Sequence, residues 1–191
     1  GGTGATSFSP ASFIKLAETN VTSNTASVEF TDATTGVFDG TYRTHAVLIR
    51  RLEPSDADKR LTLVMRDASD GNYETADYAY ATQALDSSGT GRADSSTSAS
   101  AIYTLGAGDG MGDGSSPYGT SCIIYCNDFL DSGMPPSIFG NGVYSKESGY
   151  AACNYFGGTY RDTSIQMDGV KFAFNSGNIE QGNFVIYGVK E

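Results

Sequence analysis

Residues 164–191 read SIQMDGVKFAFNSGNIEQGNFVIYGVKE, and this closing stretch decides the fold. Val170, Phe172 and Phe174 alternate with Lys171, Ala173 and Asn175, a period of two that gives one apolar face and one polar or small face. Phe184, Ile186 and Gly188 then alternate with Val185, Tyr187 and Val189, so the last run is apolar on both sides. Between the runs lies Asn175-Ser176-Gly177-Asn178, residues that tolerate left-handed backbone angles and mark a turn. This pattern predicts two antiparallel strands joined at that turn, the second buried on both faces and closing a sheet.

The same period recurs upstream. Residues 12–18 alternate weakly. In residues 23–31, Ala26, Val28 and Phe30 oppose Ser27 and Glu29. Residues 41–52 (TYRTHAVLIRRL) form the longest strand candidate, and residues 60–67 (RLTLVMRD) set Leu61, Leu63 and Met65 on one face. Residues 73–82 place Tyr78 and Tyr80 together, and further candidates fall at residues 101–105, 118–126, 138–144 and 150–160. Two Gly/Ser-rich stretches, residues 86–100 (DSSGTGRADSSTSAS) and 106–117 (GAGDGMGDGSSP), have no apolar period and are expected as long exposed loops. About ten strands, regularly spaced and with no sustained helical period, predict an all-β, jelly-roll-like antiparallel sandwich. Residues 1–10 read as a flexible arm or linker, and residues 11–191 as a single domain.

Composition agrees. Gly (24) and Tyr (12) are abundant, Trp is absent, and charged residues are sparse. A chain of 191 residues buries roughly 70% of its unfolded surface, enough to fold without disulfide or metal staples. The formal charge of −10 argues against nucleic-acid binding and against docking on an anionic membrane. No apolar run approaches the ~20 residues that span a bilayer. The N-terminus lacks the basic and apolar regions of a signal peptide. The chain begins at Gly, so either an initiator Met was removed or the sequence is part of a longer chain. Cys122 and Cys126, four apart in an extended run, would sit about 13 Å apart, too far for a disulfide. Cys153 could reach one of them across strands, but three buried thiols, as in a reducing compartment, is the expectation.

Few residues suggest chemistry. His45 is the single His, lies within a strand candidate, and has no G-x-S-x-G serine to serve. One His and three Cys lack zinc-site spacing. Asp109 and Asp113, on the Gly-rich loop DGMGDG, are the best Ca²⁺ candidates, although the loop lacks the EF-hand pattern. That loop precedes no helix, so it does not cradle phosphate. Paired carboxylates for glycoside hydrolysis are a spatial arrangement that sequence does not reveal. The tyrosines are more informative. Tyr118, Tyr144 and Tyr150, with the loops at residues 86–100 and 106–117, are the candidates for outward recognition. Tyr among Ser, Gly and Asn makes adaptable contacts at low entropic cost.

The opening SFIKLAETNVTSNTASVEFT, the strands FDGTYRTHAVLIRRLEP and LTLVMRDASDGNYETADYAY, and the close SGNIEQGNFVIYGVK together carry a resemblance. Residues 12–190 resemble a β-sandwich domain of virion proteins of tailed phages, marine ones in particular. The leading GGTGAT is similar to linkers in phage fibres. The resemblance implies a non-enzymatic virion structural protein: a capsid decoration, an appendage or a fibre domain. It supplies no catalytic residue. Multiple copies, packed with one another and with other virion proteins, are expected because an acidic sandwich with long edge strands gains by pairing or covering those edges, and host-surface glycan is a further expected partner through the tyrosines. A carbohydrate-binding module is the alternative, with a hydrolase third.

Overall fold

The computed structural model describes residues 13–113 and 119–190. The N-terminal arm at residues 1–10, and Tyr118, lie outside them. The described residues form twelve strands and one four-residue helix. The strands are β1 (Phe13–Val21), β2 (Val28–Thr31), β3 (Thr44–Pro54), β4 (Leu61–Asp67), β5 (Tyr78–Asp86) and β6 (Gly91–Ala99). They continue with β7 (Ile102–Leu105), β8 (Ser121–Asn127), β9 (Ser137–Ser145), β10 (Ala151–Tyr160), β11 (Met167–Phe174) and β12 (Ile179–Val189). The helix, α1 (Asp32–Thr35), is capped by the Thr31 hydroxyl at its start and by Gly36 in a left-handed conformation at its end.

The strands build an antiparallel β-sandwich. One sheet has eight strands in the order β1-β12-β3-β8-β9-β10-β5-β6, and the other has four in the order β2-β11-β4-β7. The alternation in β11 decides which side faces inward. Val170, Phe172 and Phe174 are buried, while Lys171 and Ala173 are only partly covered. Val170 lies between Phe30 and Met65, and Phe172 between Val28 and Leu63. The opposing layer supplies Val47, Ile49, Ile124, Ile138, Phe156, Phe184 and Ile186, all buried. Phe172 and Phe184 meet between the sheets with ring centroids 5.8 Å apart. Truncating such a ring to Ala typically costs about 3–5 kcal/mol.

The closing pair is not a hairpin. β11 is flanked by β2 and β4, and β12 by β1 and β3, so each already has two partners and they lie in different sheets. The turn at residues 175–178 crosses the sandwich instead. Gly177 takes φ +76° there. The turn is fastened to the neighbouring β3–β4 crossing: Asn175 Oδ1 accepts the Arg60 N–H at 2.9 Å, and Ser55 N–H donates to the Asn178 carbonyl at 2.9 Å.

Residues 86–100 are likewise not a loop. β6 pairs with β5 from Leu85↔Gly91 to Tyr78↔Ala99. Its side chains are exposed or half-exposed. A ladder is held by backbone groups and does not require apolar side chains, so a polar strand can close a sheet edge. Cys122 and Cys126 are buried, as expected, but Cys153 is exposed. Cys153 projects from the opposite face of the sheet to Cys122, so no bridge forms between them.

Candidate interaction surface

The inner face of the large sheet is covered by the small one, and its outer face is open over β8, β9 and β10. Strands β8 (SCIIYCN), β9 (SIFGNGVYS) and β10 (AACNYFGGTY) contain no charged residue, in a chain carrying −10. Their register lines up outward side chains in rows. One row runs Leu48, Ile123, Asn141, Tyr155 and Gln83 across β3, β8, β9, β10 and β5. The row above it carries Val143, Cys153 and Leu85. The row below carries Tyr125 and Phe139, whose rings stack with centroids 5.0 Å apart. Tyr155 is 67% exposed, Leu85 58%, Phe139 52% and Val143 43%. A shallow depression of about 340 Å³ lies among Leu48, Ile123, Val143, Cys153 and Tyr155.

Glycine on the inner side of β9 brings this face into register. A Cβ on Gly140 would stand 2.7 Å from the Phe156 ring. The inward positions at Gly140 and Gly142 are therefore filled by neighbouring side chains, and Phe139, Asn141 and Val143 point out.

The three candidate tyrosines have different locations. Tyr150 stands 46% exposed at the β9–β10 turn, beside the outer face. Tyr144 is a correction: its side chain is 1% exposed, on the inner side of β9, and cannot touch an outside partner. Burial pushes its phenol up to about 12. Tyr78, Tyr80 and Tyr160 are also interior. The most exposed tyrosine among the described residues is Tyr155, at 67%. Alternation alone could not find it, because both faces of β10 carry large or small apolar residues.

The Ca²⁺ candidate is occupied by protein cations. Asp109 Oδ2 accepts from Lys146 Nζ at 2.7 Å and from Arg92 Nε at 3.3 Å, which hold its carboxyl below the usual range. Asp113 lies further along the same loop. Among the described residues no three His, Cys, Asp or Glu side chains cluster to hold a metal.

Lys146 also bonds Asp86 Oδ2 at 2.6 Å, with both side chains nearly inaccessible. Asp86 Oδ1 accepts the N–H groups of Ser88 (2.9 Å) and Thr90 (3.0 Å) and the Ser88 hydroxyl (2.6 Å). The Lys146 bond, then those of Ser88, hold the Asp86 carboxyl far below its ordinary value. Desolvation pulls the Lys146 ammonium down, but its two carboxylates outweigh that and the net shift is upward. This cluster ties the β5–β6 turn, the loop after β7 and the β9–β10 turn together at one end of the sandwich. His45 is interior, its Nε2 2.9 Å from the Val37 carbonyl oxygen, and burial lowers its basicity.

The architecture is that of a two-sheet antiparallel sandwich whose large sheet has an uncharged outer face over β8, β9 and β10. No family model matches the chain, and no curated protein matches it.

Proposed function

We propose that this protein is a non-enzymatic structural module that assembles in multiple copies on a viral particle, with the outer face of the large sheet as its contact surface. The observation that carries this reading is the uncharged, aromatic-bearing face over β8, β9 and β10, with Tyr155 and Phe139 exposed. The resemblance of the strand sequences to phage virion sandwich domains supports the setting. The partner is a second copy of the chain or a neighbouring virion protein of the same flat, uncharged character.

Geometry sets the expected strength. Five strands at ~4.8 Å and three rows at ~6.8 Å give a face of roughly 500 Å², or roughly 1,000 Å² buried by a pair. That is near the lower limit of a stable interface. Isolated copies therefore associate weakly, and tethering many copies on one particle raises the effective concentration. Sedimentation velocity over a concentration series tests the reading. Concentration-dependent association that is lost in Tyr155→Lys/Phe139→Lys, with melting temperature unchanged, supports it. A strictly monomeric protein at the highest attainable concentration, or association indifferent to the double substitution, refutes it for self-contact.

A further inference from the structure

The pairing of β3 with β12 steps at Arg51. Asn183 lies opposite Arg50, but the next pairing is Gln181 with Glu53, so Arg51 and Leu52 together face Gly182. This is a β-bulge, and Arg51 takes φ +51° within it. Strict alternation after Ile49 (inward) and Arg50 (outward) would send Arg51 into the core. The bulge turns Arg51 out beside Arg50 and returns Leu52, 1% exposed, to the interior.

Both arginines line one cleft of about 640 Å³ together with Glu18, Asn20, Thr22, Gln181 and Asn183. Arg50 Nη2 donates to Asn183 Oδ1 at 2.7 Å, and Asn183 Nδ2 donates to Glu18 Oε1 at 2.6 Å, so Arg50 is oriented by an amide rather than neutralised by a bonded carboxylate. Arg51 makes no hydrogen bond or ion pair with a described residue. Four other cations are matched directly with carboxylates: Arg60 with Asp94, Arg66 with Asp168, Arg92 with Asp109, and Lys146 with Asp86. A bulge that only kept a charge out of the core would not need a cleft with a second guanidinium next to it.

We infer that this cleft binds a carboxylate-bearing saccharide. Paired guanidinium forks suit a carboxylate, which they bond bidentately. The side chains of Asn20, Thr22 and Gln181 offer donors and acceptors for sugar hydroxyls, and the Glu18 carboxylate in the same lining is engaged by Lys15 and by Asn183. The lining contains no aromatic ring, so a neutral sugar finds no stacking platform and selectivity rests on charge. The site lies on the same outer face, toward the β1 edge, where Arg50 shares a row with Ser121, Val143 and Cys153, so occupancy and self-association are separated by the variants: Arg51→Gly for the cleft, Tyr155→Lys with Phe139→Lys for the uncharged face.

Isothermal titration of the full chain with a uronic-acid trisaccharide tests the inference, against its methyl ester, acetate and sulfate. Saturable binding of the acidic trisaccharide, roughly tenfold or more tighter than the ester, is expected, since a charge-assisted fork is lost in the ester. Arg51→Gly, which suits a positive φ, should weaken binding by a similar factor without lowering the melting temperature, and Arg50→Gln should weaken it too. No saturable binding overturns the inference. So does equal binding of the ester, or affinity unchanged in Arg51→Gly. Acetate or sulfate binding as tightly as the trisaccharide would show a bare anion site and overturn the saccharide assignment.

Discussion

At the scale of single residues, Arg51 is the most telling position. A non-glycine residue in the left-handed region costs about 1–2 kcal/mol. Gly removes that strain but costs roughly 0.5–1 kcal/mol in unfolded-chain entropy. Arg51→Gly should therefore leave stability unchanged or raise it by up to about 1.5 kcal/mol, read from urea denaturation; a clear loss would mean that the Arg51 side chain packs against the fold. The Arg-Arg pair was visible in the sequence, but its geometry was not, because a bulge depends on the partner strand. Cysteine shows the same division. Spacing along one strand excluded a Cys122–Cys126 bridge, whereas the side on which Cys153 emerges depends on β9 and β5. Burial pushes the Cys122 and Cys126 thiols up to about 12. A native thiol titration at neutral pH should count one fast-reacting cysteine, Cys153, with the other two reacting only after unfolding. The Asp86–Lys146 pair predicts a pH dependence. A depressed carboxyl contributes stability above its unfolded value, near 3.9, and loses it as pH falls through the lower folded value. A raised ammonium contributes below its unfolded value, near 10.4, and loses it as pH rises through the higher folded one. The stability difference between the native chain and Asp86→Asn should hold between those limits and shrink below about pH 4. A difference that is flat into acid would remove the pair from the account.

At the scale of elements, period-two alternation identified most strands, because a half-buried strand must segregate its side chains. The pattern in β11 gave both its existence and its inward face. It could not give the partner. β11 and β12, adjacent in the chain and joined by a hairpin-like sequence, belong to opposite sheets because β4 and β3 already occupy the neighbouring positions. The β6 strand has no signature in the sequence for the opposite reason: Arg92, Asp94 and the Ser-rich run bury too little to leave an apolar trace, and backbone pairing alone defines it. The contact between sheets is open to test. Phe172→Ala removes a ring that packs between Val28 and Leu63 and against Phe184, and should destabilise the domain by about 3–5 kcal/mol in chemical denaturation. Lys171→Ala, one position along and on the outer side, loses a cation–π contact 3.8 Å above the Tyr73 ring and should cost about 1 kcal/mol or less. Equal effects at both positions would contradict the assigned faces.

At the scale of the whole molecule, the distribution of charge connects fold to function. Two copies carrying −10 each repel at long range, and the repulsion is screened over about 10 Å at 0.1 M salt. An interface centred on β8, β9 and β10 adds no charge pair from those strands to offset that repulsion, because they carry none. Its attraction comes from apolar burial and aromatic contact, which salt does not weaken. Self-association through this face should therefore strengthen as salt rises from low to physiological levels. An interface held by ion pairs, such as one made through Arg50 and Arg51 against a neighbour's carboxylates, would weaken over the same range. Sedimentation equilibrium across a salt series distinguishes the two, and Tyr155→Lys with Phe139→Lys should abolish the salt-strengthened association. A dissociation constant that rises with salt would move the contact from the uncharged face to the arginine cleft, leaving the outer face without the role proposed for it.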